Sequence, residues 1–323
     1  MINKADKYRF LSFISTQRAL ALLILIILIS LVFSFIFPAT FGTLSNFGII
    51  LLNMSSESMI LIAITLLLIQ GEIDLSLGAI MVLGAIICGR LMIVNELPMT
   101  VSIAISLLVC VVCGYINGLI VAKLEVTSFI ATLATGMIFL GSAVFLSGTG
   151  WTDFPDKTFK ALGQFKIMGI QMPVLYMIVM IILFAYLFAH TRYFRQYYYI
   201  GANPKSAKLS GINITKVKMT TFVLAALLAG IGGIITAMRF NTAIPNVGTG
   251  VELRAITAAV IGGVSFAGGT GTLAGAAMGA LFIAVLNNAL TIAKLPPDLQ
   301  PSVTGVILII AIIIDIVITR KSK

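Results

Sequence analysis

Charge is scarce in this chain: Asp, Glu, Lys and Arg make up 10% of its 323 residues. A soluble domain carries roughly 25% charged residues, so a water-facing surface cannot be assembled from this supply. Histidine occurs once, at His190, which excludes a histidine-built zinc site, and no H-E-x-x-H pattern is present. Cysteine occurs three times, at Cys88, Cys110 and Cys113, always inside apolar runs. That placement argues against a disulfide framework. Cys110 and Cys113 have C-x-x-C spacing, but no second ligand pair follows, so they read as small packing residues. No G-x-x-x-x-G-K-[ST] loop exists, so nothing in the chain cradles nucleotide phosphates. Ser147-Gly148-Thr149-Gly150 is glycine-rich but lacks the lysine and the preceding strand. The sequence therefore offers no catalytic residue and no metal-ligand set.

Apolar residues, in contrast, make up 59% of the chain. They form about ten runs separated by short polar hinges. Backbone polar groups in a bilayer must be satisfied internally, so a chain this apolar spans as helices. The spacing predicts helices near 19–37, 46–70, 74–94, 98–122, 126–148, 173–190, 216–238, 252–267, 271–291 and 301–319. The eighth is short and broken by Gly262, Gly263, Gly268, Gly269 and Gly271. The expected fold class is all-α: a polytopic membrane protein of about ten transmembrane helices. Spans of ~20 residues and their loops consume 1–323 as a single transmembrane domain. The first run is longer than a signal-peptide core and ends in Phe35, Ile36, Phe37 and Pro38, a poor cleavage site, so it reads as a retained helix.

The net charge of +10 raises the question of nucleic acid, but no basic stripe is interleaved with stacking aromatics. The positive-inside rule accounts for it instead. With the N-terminus inside and ten alternating helices, the cytoplasmic set is Lys4, Lys7, Arg9, Arg18, Lys123, Arg192, Arg195, Lys205, Lys208, Lys216, Lys218, Arg320, Lys321 and Lys323. The opposite set is Arg90, Lys157, Lys160, Lys166, Arg239, Arg254 and Lys294. The bias places both termini in the cytoplasm, with tails at 1–18 and 320–323. Two hydrophilic loops stand out, an outer one at 149–172 and a cytoplasmic one at 191–215.

Function must then lie in the few polar residues at membrane depth and in those loops. Glu57 sits mid-run in Ser55-Ser56-Glu57-Ser58. A carboxylate there must be neutralised or paired, and it either lines a path or joins helices. Asp74, in Gln70-Gly71-Glu72-Ile73-Asp74-Leu75-Ser76, either caps the next helix or faces the path. Asn117, Asn287 and Asn288 can hydrogen-bond solute hydroxyls or tie helices together. At the opening of the eighth run, Glu252 suits a helix start, and Arg254 suits either an extracellular acid or a local partner. In the cytoplasmic loop, Asn203 is a good N-cap, Pro204 suits the first helical position and Gly211 a C-terminal stop. The spacing predicts a short helix carrying Lys205, Ala207, Lys208, Leu209 and Ser210, shaped as a docking knob or an interfacial linker on anionic lipid.

These motifs together resemble the permease subunits of bacterial ATP-binding-cassette (ABC) importers for monosaccharides, the ribose-type group. Gly71-Glu72-Ile73-Asp74-Leu75-Ser76-Leu77-Gly78 is similar to that group's G-G-I-D-L-S-V-G. Asn117-Gly118 with Val121-Ala122-Lys123, Phe129-Ile130-Ala131-Thr132-Leu133, Gly248-Thr249-Gly250-Val251-Glu252-Leu253, the run Gly262 to Gly271, and Leu286-Asn287-Asn288 follow in the group's order. The resemblance implies a second permease copy or paralogue, an ATPase docked on Asn203 to Gly211, and an extracytoplasmic solute-binding protein on the side assigned to Glu252 and Arg254. It implies that ATP and magnesium bind the partner ATPase and that this chain holds no cofactor. Glu72 departs from the pattern's glycine, Val251 from its tyrosine and Glu57 from its asparagine, which leaves the solute open. Autoinducer-2, nucleosides and other small polar solutes are alternatives. An ion-gradient-driven transporter using Glu57, Glu72 and Asp74 is a further one.

Overall fold

The computed structural model describes residue 20 and residues 22–148, 151–296, 299–307 and 309. The expected tails, and the last predicted helix beyond residue 309, lie outside the described residues. The chain is an all-α polytopic membrane protein. Among the described residues, six helices are long and apolar enough to cross a membrane. These are α2 (Leu44–Gln70), α4 (Met99–Gly118, continued by a π-helical turn at Leu119–Lys123), α5 (Ser128–Ser147), α7 (Met172–His190), α10 (Ile214–Phe240) and α12 (Leu273–Ile292). Shorter apolar helices are α1 (Leu22–Ile36) and α3 (Leu77–Ile93). The connections carry α6 (Lys157–Gln164), α8 (Arg192–Ala202), α9 (Pro204–Leu209) and α11 (Val251–Ile261). A last helical stretch covers 300–307. Two small ladders complete the described chain: β1 (Trp151–Thr152) pairs with β4 (Thr242–Ala243), and β2 (Lys166–Ile167) with β3 (Ile170–Gln171).

α2 and α10 form the centre, and the other long helices expose one flank. Lipid tails are as apolar as leucine, so close backbone approach must supply the cohesion. α10 provides it with small residues. A Cβ on Gly233 would drive into the Met81 carbonyl of α3, and one on Gly114 of α4 would meet the Phe222 carbonyl at 2.6 Å. We predict that Gly233→Val lowers the thermal midpoint of the detergent-solubilised protein, since overpacking costs about 1–3 kcal/mol or more.

Three boundaries differ from the periodicity. α3 begins at Leu77 rather than at residue 74, because 72–74 are non-helical and 75–76 form a turn. α11 stops at Ile261 rather than near 267. Gly262 ends it, and the turns that follow put Gly263, Gly268, Gly269 and Gly271 at positive φ. The loop at 191–215 is largely helical, as α8 and α9, and the loop at 149–172 carries α6. Both α6 and α8 are amphipathic, and at eight and eleven residues they are too short to register among the long apolar runs.

Candidate translocation and coupling sites

The non-helical segment 71–76 decides where the polar residues sit. Gly71 caps α2 in the left-handed region (φ 82°), which glycine adopts without strain. The chain then climbs back along one stripe of α5. Ile73 N donates to Ser128 Oγ (3.3 Å), Leu75 N donates to Thr132 Oγ1 (3.0 Å), and Ser76 packs on Gly136. α3 therefore starts roughly 12 Å along α5, at 1.5 Å per residue, and is correspondingly short. Asp74 is fully buried at this joint. Its Oδ1 accepts from Ser76 N (2.8 Å) and Ser76 Oγ (2.5 Å), and its Oδ2 accepts from Asn117 Nδ2 (3.2 Å). Asn117, also fully buried, donates to Ser76 Oγ at 2.8 Å as well. Both sequence candidates thus join α4 to the start of α3; the N-cap of α3 is Ser76, and Asp74, two residues earlier, holds Ser76 rather than the N–H groups of the first turn.

This joint is sensitive to its carboxylate. Asp74→Ala leaves three donors without acceptors, at about 1–3 kcal/mol for each buried group. Asp74→Asn keeps the two bonds from Ser76, and a flip of the Asn117 amide supplies an acceptor for the new NH2 at the cost of the Asn117–Ser76 Oγ bond. We predict a large loss of thermal midpoint for Asp74→Ala and a smaller one for Asp74→Asn, measured on the purified protein.

α11 begins against α3. A Cβ at Gly78 would strike the Glu252 carboxylate and would lie 2.6 Å from the Gly248 carbonyl, so glycine lets the two helix starts touch. Gly250 leads into α11 in the left-handed region, and Glu252 lies in its first turn, where a carboxylate suits the helix dipole. One turn on, Arg254 reaches α2. Its Nε (2.9 Å) and Nη2 (2.7 Å) both donate to Glu57 Oε1, and its Nη1 donates to the Thr249 carbonyl at 3.2 Å. Glu57 lies thirteen residues from either end of α2, about 20 Å along the axis. Of the two partners open to Arg254, an extracellular acid or a group of its own chain, the structure supplies the second. Residues 241–250 run inward before α11 starts, so its first turn meets the midpoint of α2. Glu57 and Arg254 keep 37% and 31% of their side chains exposed.

Arg239, at the end of α10, binds the same side of α2. It donates to the Leu52 carbonyl (2.9 Å), Ser56 Oγ (2.5 Å) and Asn53 Oδ1 (2.8 Å). Charge counting along the sequence places Arg239 in an outer loop; its position at the end of a long apolar run was the signal that it turns inward. Asn288 exchanges two amide bonds with Asn46 of α2 (2.9 and 3.0 Å), which joins α12 to α2. Asn287 is half-buried on α12, and its carbonyl accepts from Thr291 Oγ1 (2.8 Å).

The opposite end of α10 carries the knob. Asn203 Oδ1 caps α9 through Ser206 N (3.1 Å), Pro204 opens it, and Gly211 (φ 83°) follows its end. Lys205, Lys208, Ser210 and Leu209 are exposed, Leu209 to 90%. Ala207, predicted to share the docking face, points inward instead and is 3% exposed. A cavity of about 790 Å³ lies behind α9, lined by Glu72, Glu125, Ser128, Lys208, Gly211 and Lys218 among others. Glu72 and Lys218 form an ion pair on its wall. α8 connects this end to the interior. A Cβ on Gly201 would collide with the Ile69 carbonyl of α2 and with Gly269 of the loop after α11. Tyr198 Oη donates to the Gly271 carbonyl at 3.0 Å, and burial pushes its phenol up to about 12, so it remains a donor at neutral pH. α8, on which the knob packs, therefore rests on α2, the helix that holds Glu57, and on the loop that follows α11.

A family model described as "Branched-chain amino acid transport system / permease component" matches residues 46–312. The chain belongs to this permease family. The ribose import permease of Escherichia coli strain K12 is 34% identical over 315 residues, covering 96% of each chain. The ribose import permease of Bacillus subtilis is 35% identical over 300 residues, 92% of this chain and 91% of that one. The fructose import permease of Rhizobium meliloti is 31% identical over 311 residues, 94% and 86% respectively. No solved structure matches. The permease is thus a membrane-spanning transport subunit. Its matched region includes the joint at Asp74, the Glu57–Arg254 pair and the α9 knob.

Proposed function

We propose that the permease forms the translocation path of an ABC importer for a monosaccharide, a ribose-like pentose or a hexose. The observation that carries the path is the Glu57–Arg254 pair at the midpoint of α2, with about a third of each side chain exposed. Charge at membrane depth faces a partner or water, because exposure to lipid costs several kcal/mol. That face belongs to the path, between this subunit and a second copy or paralogue. The sugar class is supported by the ribose, fructose and arabinose import permeases that the chain resembles over most of its length. Autoinducer-2, a nucleoside or another small polar solute is the second reading, favoured by the two acidic departures at Glu57 and Glu72.

The exposed, capped α9 supports a partner ATPase on that end, which holds ATP and magnesium itself. An extracytoplasmic solute-binding protein delivers solute at the other end. The α9 end faces the cytoplasm, both termini lie there, and the chain sits in the bacterial inner membrane. ATP-driven closure of two ATPases moves the α9 knobs. Gly201 and Tyr198 pass that motion to α2 and to the loop ending α11, which opens or closes the path around Glu57 and Arg254.

Pull-down of the permease from native membranes in mild detergent, with mass spectrometry, tests the assembly. A P-loop ATPase and a solute-binding protein are expected, and pentoses and hexoses should raise the melting temperature of that binding protein. Uptake abolished by an uncoupler in ATP-replete cells would instead establish the gradient-driven transporter.

A further inference from the structure

At the end opposite α9, the β2–β3 hairpin places its apolar side chains outside. Phe165, Ile167, Met168 and Ile170 are 59%, 45%, 97% and 42% exposed. The tip is a two-residue turn, Met168-Gly169, with both residues at positive φ (51° and 84°). Turns of this kind favour Asn-Gly or Asp-Gly. A methionine there accepts backbone strain at a position where it buries nothing within the chain. Apolar surface held out at such a cost has a partner elsewhere.

We propose that this hairpin seats in the boundary between headgroups and acyl chains of the surrounding phospholipid, anchoring the non-α9 end of the permease. Three observations converge on lipid. First, the hairpin runs directly into α7, with Met172 N bonded to the Phe165 carbonyl at 3.0 Å. α7 has 19 residues, about 28 Å at 1.5 Å per residue, which matches a hydrocarbon core of ~30 Å. Met172 therefore lies at the core boundary. The tip extends only two to three strand residues beyond it, roughly 7–10 Å, about the depth of the headgroup layer.

Second, α7 lies at the periphery. Ile178, Val179, Ile182 and Leu183 are exposed along it, so lipid is already the neighbour of the element the hairpin joins. Third, the charge is complementary to lipid phosphate. Lys157, Lys160 and Lys166 are exposed on α6 and β2. They outnumber the nearby acids, Asp156, which caps α6 through Thr158 N (2.7 Å), and Asp153, which accepts from Asn241 Nδ2 (3.4 Å). Apolar side chains framed by lysines are the composition of membrane-surface elements.

The test places a reporter at the tip. The chain has one tryptophan, so Trp151→Phe provides a dark background for Met168→Trp, with Phe165→Trp as a second position. The full-length protein is reconstituted in vesicles of phosphatidylethanolamine and phosphatidylglycerol whose acyl chains carry bromine near the headgroup or near the midplane. Shallow bromine is expected to halve the emission at least, with weaker quenching from deep bromine and little from aqueous iodide. Emission quenched by iodide and untouched by either bromolipid would overturn the proposal. Shielding from iodide that appears only when the solute-binding protein is added would overturn it too, assigning the hairpin to that protein. This test is independent of which solute the permease carries.

Discussion

Replacing Leu209 with aspartate releases the ATPase from the permease and stops solute uptake, while the permease remains folded in the membrane. Leu209 is 90% exposed on α9, so its removal costs no packing within the chain. A central apolar anchor at an interface contributes at least ~2 kcal/mol, and each 1.4 kcal/mol is tenfold in affinity, so binding weakens by roughly 30-fold or more. The new carboxylate also sits beside Lys205 and Lys208 and cancels part of the basic surface. Ala207→Asp is the control with the opposite signature. Ala207 is buried beneath α9, so a carboxylate there lowers the thermal midpoint of the permease itself. Quantitative pull-down and thermal unfolding of both variants separate docking from folding. Undiminished ATPase recovery with Leu209→Asp would remove α9 from the docking surface.

The separate fates of Leu209 and Ala207 show what the sequence can and cannot reveal. Capping chemistry is local: Asn203, Pro204 and Gly211 act within a few residues of themselves, so α9 was legible to within a residue or two. The long apolar runs were legible for a related reason, since the bilayer imposes length and composition on each span independently. The side of a two-turn helix that faces inward depends on what lies behind it. Nothing in Pro204–Leu209 specifies that α8 and one part of α10 pack against it.

The same distinction explains the interior. Glu57 was recognisable as an isolated carboxylate, but its partner Arg254 is 197 positions away and looked like a surface charge. Its depth follows from Gly78 and Gly248, whose missing side chains let α11 start against α3. Asn46 and Asn288 are each ordinary helix-end amides, and their pairing exists only in three dimensions. The two acidic departures from the ribose-type pattern share one feature. Glu57 is met by Arg254 and Glu72 by Lys218, so each added charge is neutralised within the chain.

Glu57→Gln lowers both the stability of the permease and its uptake of solute, and the two losses have different cures. The substitution leaves the Arg254 guanidinium at the midpoint of α2 without its counter-charge. A fully exposed pair contributes about 0.5 kcal/mol and breaking a buried one costs about 4 kcal/mol. With a third of each side chain exposed, solvent screening puts the cost between them, roughly 1–2 kcal/mol. The double exchange Glu57→Arg with Arg254→Glu restores attraction between the same two helices, so the thermal midpoint recovers. Uptake of labelled ribose does not recover if Glu57 Oε2 faces the path, because Arg254 occupies Oε1 alone and the exchange replaces the remaining acceptor with a donor. Recovery of both stability and uptake would make the pair a helix joint and move the path to another face of α2. Wild-type values for Glu57→Gln in both measurements would remove the observation on which the path rests. A gradient-driven carrier gives a third pattern: Glu57→Gln, as a mimic of the protonated carboxyl, would exchange solute across the membrane yet lose accumulation against a gradient, with ATP levels unchanged.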